Sequence, residues 1–108
     1  MPGTTKFAML LEEYNWKSEV LESREPVLVD FWAEWCPPCR MMEPAIHALA
    51  RDYKVCKVNI DTNQKLAATY GVEAVPTLLI FKGGRIATRF QGATPEATLR
   101  AALQSSAG

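Results

Sequence analysis

Two cysteines with two prolines between them, Cys36-Pro37-Pro38-Cys39, are the residues of this chain whose type and spacing could do chemistry. Such a pair can close a disulfide when the second cysteine stands one helical turn beyond the first. The thiolate is the reactive form of cysteine, and a helix N-terminus favours it through partial positive charge and unpaired N–H groups. Cys36, at the helix entrance, is expected to be the exposed nucleophile. Cys39, inside the first turn, is expected to be the shielded, resolving thiol. The chemistry is then dithiol–disulfide exchange: attack by Cys36 on a substrate disulfide, a mixed disulfide, and release by Cys39.

The same spacing occurs in half of a zinc or iron–sulfur site, which needs further Cys or His ligands. Beyond the pair, the chain has only Cys56 and His47, and neither has ligand spacing. The two prolines also stiffen the loop against chelation. No metal is expected, and no cofactor beyond the Cys36–Cys39 disulfide itself. Three cysteines are too few, and odd in number, for a disulfide scaffold. Cys56 lies mid-strand beside Lys57 but points to the opposite face, and reads as a small buried hydrophobe. His47 reads as a surface residue, and Met41 and Met42 as packing. Asp30 is a lone acid in an apolar run. Burying it is costly unless it is used or paired, and burial should raise its pKa.

The element leading into the pair is Val27-Leu28-Val29-Asp30-Phe31-Trp32, a nearly continuous run of β-formers that reads as a buried central strand. The prolines cannot continue it, because each removes a backbone donor. A helical pattern follows through Met41, Met42, Ala45, Ile46, Leu49 and Ala50, with a kink expected at Pro44. Pro37 precedes a proline and should stay extended, so this helix is expected to begin at Pro38. Upstream, the pattern predicts a short strand over Lys6–Leu11 and a helix over Trp16–Glu22 with Asn15 as N-cap. Downstream it predicts a strand over Tyr53–Ile60, then a short helix capped by Asp61 or Asn63 that runs through Tyr70 and ends at Gly71. Thr77–Phe81 is a further strand, Lys82-Gly83-Gly84-Arg85 a hairpin turn, and Ile86–Gln91 the returning strand. The last helix has Thr94 as cap, Pro95 at its first position and Glu96 in its first turn, and runs into a frayed polar tail. The order β-α-β-α-β-α-β-β-α predicts an α/β fold with a mixed sheet and helices on both faces.

Composition narrows the partners. The 108 residues suit one domain, and 48% of them are apolar, enough for one core. Twelve basic residues balance twelve acidic ones. A nucleic-acid binder would usually carry a basic excess, so no nucleic acid is expected, nor polybasic attachment to a membrane. No apolar stretch approaches the ~18 residues that would span a bilayer. The N-terminal apolar run is only Phe7 to Leu11, followed by Glu12 and Glu13, unlike a secretory signal. The expected location is cytoplasmic.

The segment from Val27 through Trp35-Cys36-Pro37-Pro38-Cys39-Arg40 to Pro44 resembles the active-site segment of the thioredoxin family. The resemblance resumes in Lys57-Val58-Asn59-Ile60-Asp61, Tyr70-Gly71-Val72, Val75-Pro76-Thr77-Leu78, Phe81-Lys82-Gly83-Gly84 and at Gly92, so it covers nearly the whole chain. It implies a thioredoxin fold over residues 1–108, a central mixed five-stranded sheet flanked by four helices. It implies a general protein-disulfide reductase and electron carrier working on disulfide-containing proteins, recharged by thioredoxin reductase, with a monomer as the default. Asp30 would be the buried proton acceptor for Cys39, Lys57 the partner of that acid, and Pro76 a cis-proline facing the pair. The backbone of Val75 would pair with extended substrate, and Trp35, Ile60, Ala74, Val75, Gly92 and Ala93 would form an apolar docking surface that Pro37 and Pro38 adjoin. Trp32 would pack beneath the site. Most thioredoxins carry glycine where this chain has Pro37. The second proline removes a donor beside the Cys36 sulfur, so the redox potential should differ measurably. The alternatives are a specialised reductant of the cytochrome-maturation type and a non-catalytic thioredoxin-like binding subunit. The first usually carries an insertion between the motif and the cis-proline, for which the 40 positions from Cys36 to Pro76 leave no room. The second often lacks one cysteine or the buried acid.

Overall fold

The computed structural model describes residues 7–107. Strand β2, Val27–Trp32, lies at the centre of a five-stranded sheet of order β1-β3-β2-β4-β5. Its neighbours are β3 (Lys54–Asn59), which runs parallel to it, and β4 (Thr77–Lys82), which runs antiparallel. Strand β1 (Met9–Leu10) extends the parallel side, and β5 (Arg85–Gln91) closes the other edge as a hairpin with β4. The sheet is mixed, as its sequence pattern predicts. Lys6, the first residue of the predicted β1, lies outside the described residues.

Alternation along the strands divides the core in two. Val27, Val29 and Phe31, with Cys56, Val58, Leu79 and Phe81, pack one face against Trp16, Val20 and Leu66. Leu28, Val55, Leu78 and Ile80 pack the other against Met42, Ile46, Leu49, Leu99 and Leu103. The second face also carries Asp30, Trp32 and Lys57 by the same alternation, and it is the face the cysteine helix covers. Each fully buried aliphatic side chain stabilises the fold by about 1.5–3 kcal/mol. Tilted and edge-on contacts of Trp16 with Phe31, Tyr70 and Phe81 fix the far side of the sheet, and the Trp16 indole donates to Tyr70 Oη at 3.1 Å.

The helices depart from their patterns in ways the backbone explains. The first is a 3-10 turn, Glu13–Asn15, followed by a π turn, Lys17–Leu21, in which the Glu22 N–H donates to the Lys17 carbonyl. The wider turn puts Trp16, Val20 and Leu21 together on the core. Asn15 is not the N-cap; its Oδ1 reaches back to accept the Glu12 N–H. The long helix is split at Met42 into α1, Pro37–Met41, and α2, Glu43–Ala50, because Pro44 offers no N–H to carry the ladder across. Helix α3 is Gln64–Thr69, with Asn63 as N-cap; the Asn63 side chain donates to the Asn59 carbonyl rather than capping. Helix α4, Glu96–Ala107, stays helical where a frayed tail is expected. Thr94 does not cap it: its hydroxyl donates to the Gly92 carbonyl, while the Pro95 carbonyl accepts the N–H groups of Thr98 and Leu99. Pro95 therefore precedes the helix. At the hairpin, Gly83 (φ 61°) and Gly84 (φ 80°) supply the paired left-handed conformations of a two-residue turn.

Candidate active site

The chain leaves β2 at Trp32, turns through Ala33, Glu34 and Trp35, and enters α1 with Cys36 as N-cap. Cys36 is extended (φ −106°, ψ 102°), and its N–H donates to the Ala33 carbonyl at 3.3 Å. Cys36 and Cys39 form a disulfide, with Cα atoms 5.3 Å apart. The Cys39 N–H donates to Cys36 Sγ at 3.2 Å, and the Cys36 carbonyl accepts from Cys39 and Arg40. The helix begins at Pro37, one residue earlier than expected, and the extended residue is Cys36. First-turn N–H groups have no partner within a helix, so two prolines there sacrifice no intrahelical bond. The turn they complete delivers the Cys39 N–H to the sulfur.

Cys36 is not the exposed residue its position suggests. It is 3% exposed and Cys39 2%, so burial does not distinguish them. Trp32, Ile60 and Val75, from three separate segments, pack around the Ala33–Cys36–Cys39 cluster. The asymmetry lies in hydrogen bonding and position. Cys36 Sγ sits outside the helix, accepts a backbone N–H and lies 3.6 Å from the Val75 carbonyl oxygen, whereas Cys39 is within the first turn.

Around the disulfide, the Val75–Pro76 peptide is cis. The Pro76 carbonyl accepts the Gly92 N–H at 2.8 Å, and the Ala74 carbonyl accepts the Thr77 hydroxyl at 2.6 Å. Ala74, Ala93, Pro37 and Pro38 are exposed, and Gly92, Val75 and Ile60 are half-buried. Trp35 is 63% exposed, yet its indole donates to Asp61 Oδ2 at 2.9 Å. Asp61 thus steadies an aromatic side chain beside Cys36, a role its place before α3 does not announce. Ala93 lines a cleft of about 300 Å³ with Met41, Met42, Ala45, Thr94, Pro95 and Glu96. Met42 is core, but Met41 is 76% exposed and belongs to this surface rather than to packing, because the break at Met42 turns it outward.

Asp30 is 1% exposed, and neither carboxyl oxygen has a hydrogen-bond partner among the described residues. Burial pushes its pKa up from 3.8 to about 7; the Lys57 charge opposes this and the Glu43 charge adds to it. Lys57 stands beside Asp30 in the β2–β3 register, but it is not the acid's direct partner. Its ammonium is bonded to Glu43 Oε2 and lies 4.5 Å from the centre of the Trp32 ring. A lysine side chain is long enough to pass its strand neighbour and reach the helix above. Glu43 is a site residue that sequence reasoning missed; its only signal was an acid in the helical turn after Cys39. His47 is on the surface as expected, with Nε2 3.2 Å from Glu43 Oε1. Cys56 is fully buried on the opposite face, and burial pushes its thiol up to about 12.

The thioredoxin family model matches residues 7–105. The chain belongs to the thioredoxin family. It is 46% identical over 101 residues to Thioredoxin 1 of Nostoc sp., covering 90% of this chain and 94% of that protein. It is 47% identical over 95 residues to the M-type, chloroplastic thioredoxin of Zea mays, which covers 84% of this chain and 57% of the plant protein. Among solved structures, a mutant thioredoxin from Halobacterium salinarum superposes with a TM-score of 0.92 at 32% identity, covering 100% of this chain and 97% of the other. As a thioredoxin, the chain is a thiol–disulfide oxidoreductase that reduces disulfides through its redox-active cysteine pair. The family works between a reductase and substrate proteins. No helix among the described residues is long and apolar enough to cross a membrane.

Proposed function

We propose that residues 1–108 act as one domain and a general reductant of protein disulfides in the cytoplasm, monomeric, recharged by thioredoxin reductase, and engaging neither nucleic acid nor membrane. The observation that carries this reading is the Cys39 N–H held on Cys36 Sγ at the mouth of α1. That donor stabilises a thiolate on Cys36 in the reduced protein, and the helix end adds its partial positive charge.

The Cys36 thiolate attacks one sulfur of a substrate disulfide. The substrate S–S bond breaks, the other sulfur leaves as a thiolate, and a mixed disulfide forms. The Cys39 thiol then loses its proton to the Asp30 carboxylate and attacks Cys36 Sγ. The mixed disulfide breaks, the second substrate thiolate leaves, and Cys36–Cys39 closes as a disulfide, having given up the pair of electrons the substrate has gained. A base poised near neutrality suits this transfer, and burial places Asp30 there. Lys57 acts on Asp30 through its charge. The exposed Trp35, Pro37, Pro38, Ala74 and Ala93, with the half-buried Ile60, Val75 and Gly92, supply the docking surface, and the Val75 carbonyl beside Cys36 Sγ supports strand-like pairing with substrate. The uncharged character of this surface favours broad substrate use over a specialised partner.

Insulin reduction by the reductase-coupled protein tests the proposal. The reading expects turnover that Cys36→Ser abolishes. A parent protein with no turnover above the reductase alone, so that Cys36→Ser loses nothing, would leave the chain a docking module.

A further inference from the structure

Glu43 occupies the first turn of α2 and has a basic side chain against each carboxylate oxygen. Its Oε2 accepts from the Lys57 ammonium, and its Oε1 lies 3.2 Å from His47 Nε2. The lysine side chain is 10% exposed and so nearly buried, whereas the Glu43 side chain is one-third exposed and keeps contact with water. Lys57 has two acids to choose from. Asp30 is its neighbour in the strand register, more deeply buried and without any hydrogen-bond partner among the described residues. A buried carboxylate in that position would gain far more from an ammonium than a half-solvated one does. Yet the ammonium sits on Glu43.

We propose that Glu43 is a positioning residue: its carboxylate anchors the Lys57 ammonium on the helix side of the sheet and so withholds it from Asp30. The charged groups that act on Asp30 are Lys57 from β3 and Glu43 from α2. Strand β4 presents Leu78 opposite Asp30, Arg40 of α1 is exposed, and His47 lies against Glu43 with its own side chain mostly exposed. Glu43 therefore favours a protonated Asp30 twice over, by its own charge and by diverting the cation. Removing it should make Asp30 a stronger acid. The proposal extends the reading of Asp30 as proton acceptor for Cys39, and its test is separable from that reading.

The experiment follows the Asp30 carboxyl carbon by NMR against pH in the oxidised protein, where Cys36 and Cys39 do not titrate. Glu43→Gln should lower the Asp30 midpoint by about 1 pH unit or more, as expected for an acid gaining a close cation. Glu43→Ala, a second variant, should do the same. In a Lys57→Met background the Glu43→Gln shift should shrink to less than half, because there is no cation left to release. An unchanged midpoint, or equal shifts in both backgrounds, overturns the proposal. The insulin-reduction pH profile of Glu43→Gln is read separately. A profile that moves with the NMR midpoint supports the placement of Glu43 in the working site, and one that stays fixed while the midpoint moves counts against Asp30 as the proton acceptor.

Discussion

Replacing Asp30 with asparagine should make the protein more stable, and the gain should depend on pH in a calculable way. Asp30 is 1% exposed, and its pKa stands at about 7 against an ordinary 3.8. The folded protein therefore keeps a proton on Asp30 over a range in which the unfolded chain has released it. Where the native state binds more protons, stability falls as pH rises. The contribution of Asp30 is most favourable below about pH 4, declines between about pH 4 and pH 7, and is flat above. A difference of about three pH units corresponds to about 4 kcal/mol, and with both oxygens unpartnered little offsets it. Denaturant unfolding of the oxidised protein and its Asp30→Asn variant, measured at intervals from about pH 4 to pH 8, isolates the effect. Groups common to both proteins cancel in the difference. The variant's stability relative to the parent should rise by about 4 kcal/mol across that window and level off above it. A buried amide adds a constant penalty, which shifts the curve but does not tilt it. A difference that stays constant from pH 4 to pH 8 would refute the argument that Asp30 is held protonated by burial. The same variant should reduce insulin more slowly, by about 100-fold where proton removal from Cys39 limits the rate.

Cys56→Ser should cost about 1–3 kcal/mol in denaturant unfolding, because a hydroxyl replaces a thiol on a fully apolar face, and should leave insulin reduction unchanged. Pro37→Gly restores a backbone N–H to the mouth of α1 and frees the unfolded chain. Thiolate absorbance should show a lower Cys36 pKa, glutathione equilibration a potential higher by more than about 10 mV, and unfolding a loss of about 1 kcal/mol. Gly84→Ala should destabilise by about 1–3 kcal/mol in thermal unfolding: its φ is +80°, and a Cβ would stand 3.0 Å from the Leu21 carbonyl oxygen.

Local signals in the chain were enough for much of this fold. Strand β2 starts after Pro26 and ends at Trp32 as its apolar run does, and Gly83-Gly84 marks the hairpin turn where both residues adopt positive φ. Pro44 marks the division of the long helix. What was not legible depends on contacts between distant segments. The apolar spacing of Trp16, Val20 and Leu21 predicts a helix but not the π hydrogen bond that lets all three face one core. A proline pair disfavours a helical Pro37, yet the sulfur's need for the Cys39 N–H outweighs that preference. Burial of Cys36 is supplied by Ile60 and Val75, which lie far along the chain. The hydrogen-bond partner of Lys57 was not legible either. Register places it beside Asp30, but the reach of a four-carbon side chain and the break before α2 bring it to Glu43. The motif names the cysteines and the acid behind them; the charge arrangement that tunes the acid is written in the packing of a helix onto the sheet.

Trapping of substrate on the Cys39→Ser variant tests the division of labour between the two cysteines most directly. Mixed with disulfide-containing protein and analysed by mass spectrometry after proteolysis, the variant should accumulate a stable mixed disulfide on Cys36, and Cys36→Ser should accumulate none. Substrate held on Cys39 in the Cys36→Ser variant, with none held on Cys36 in the other, would contradict the account.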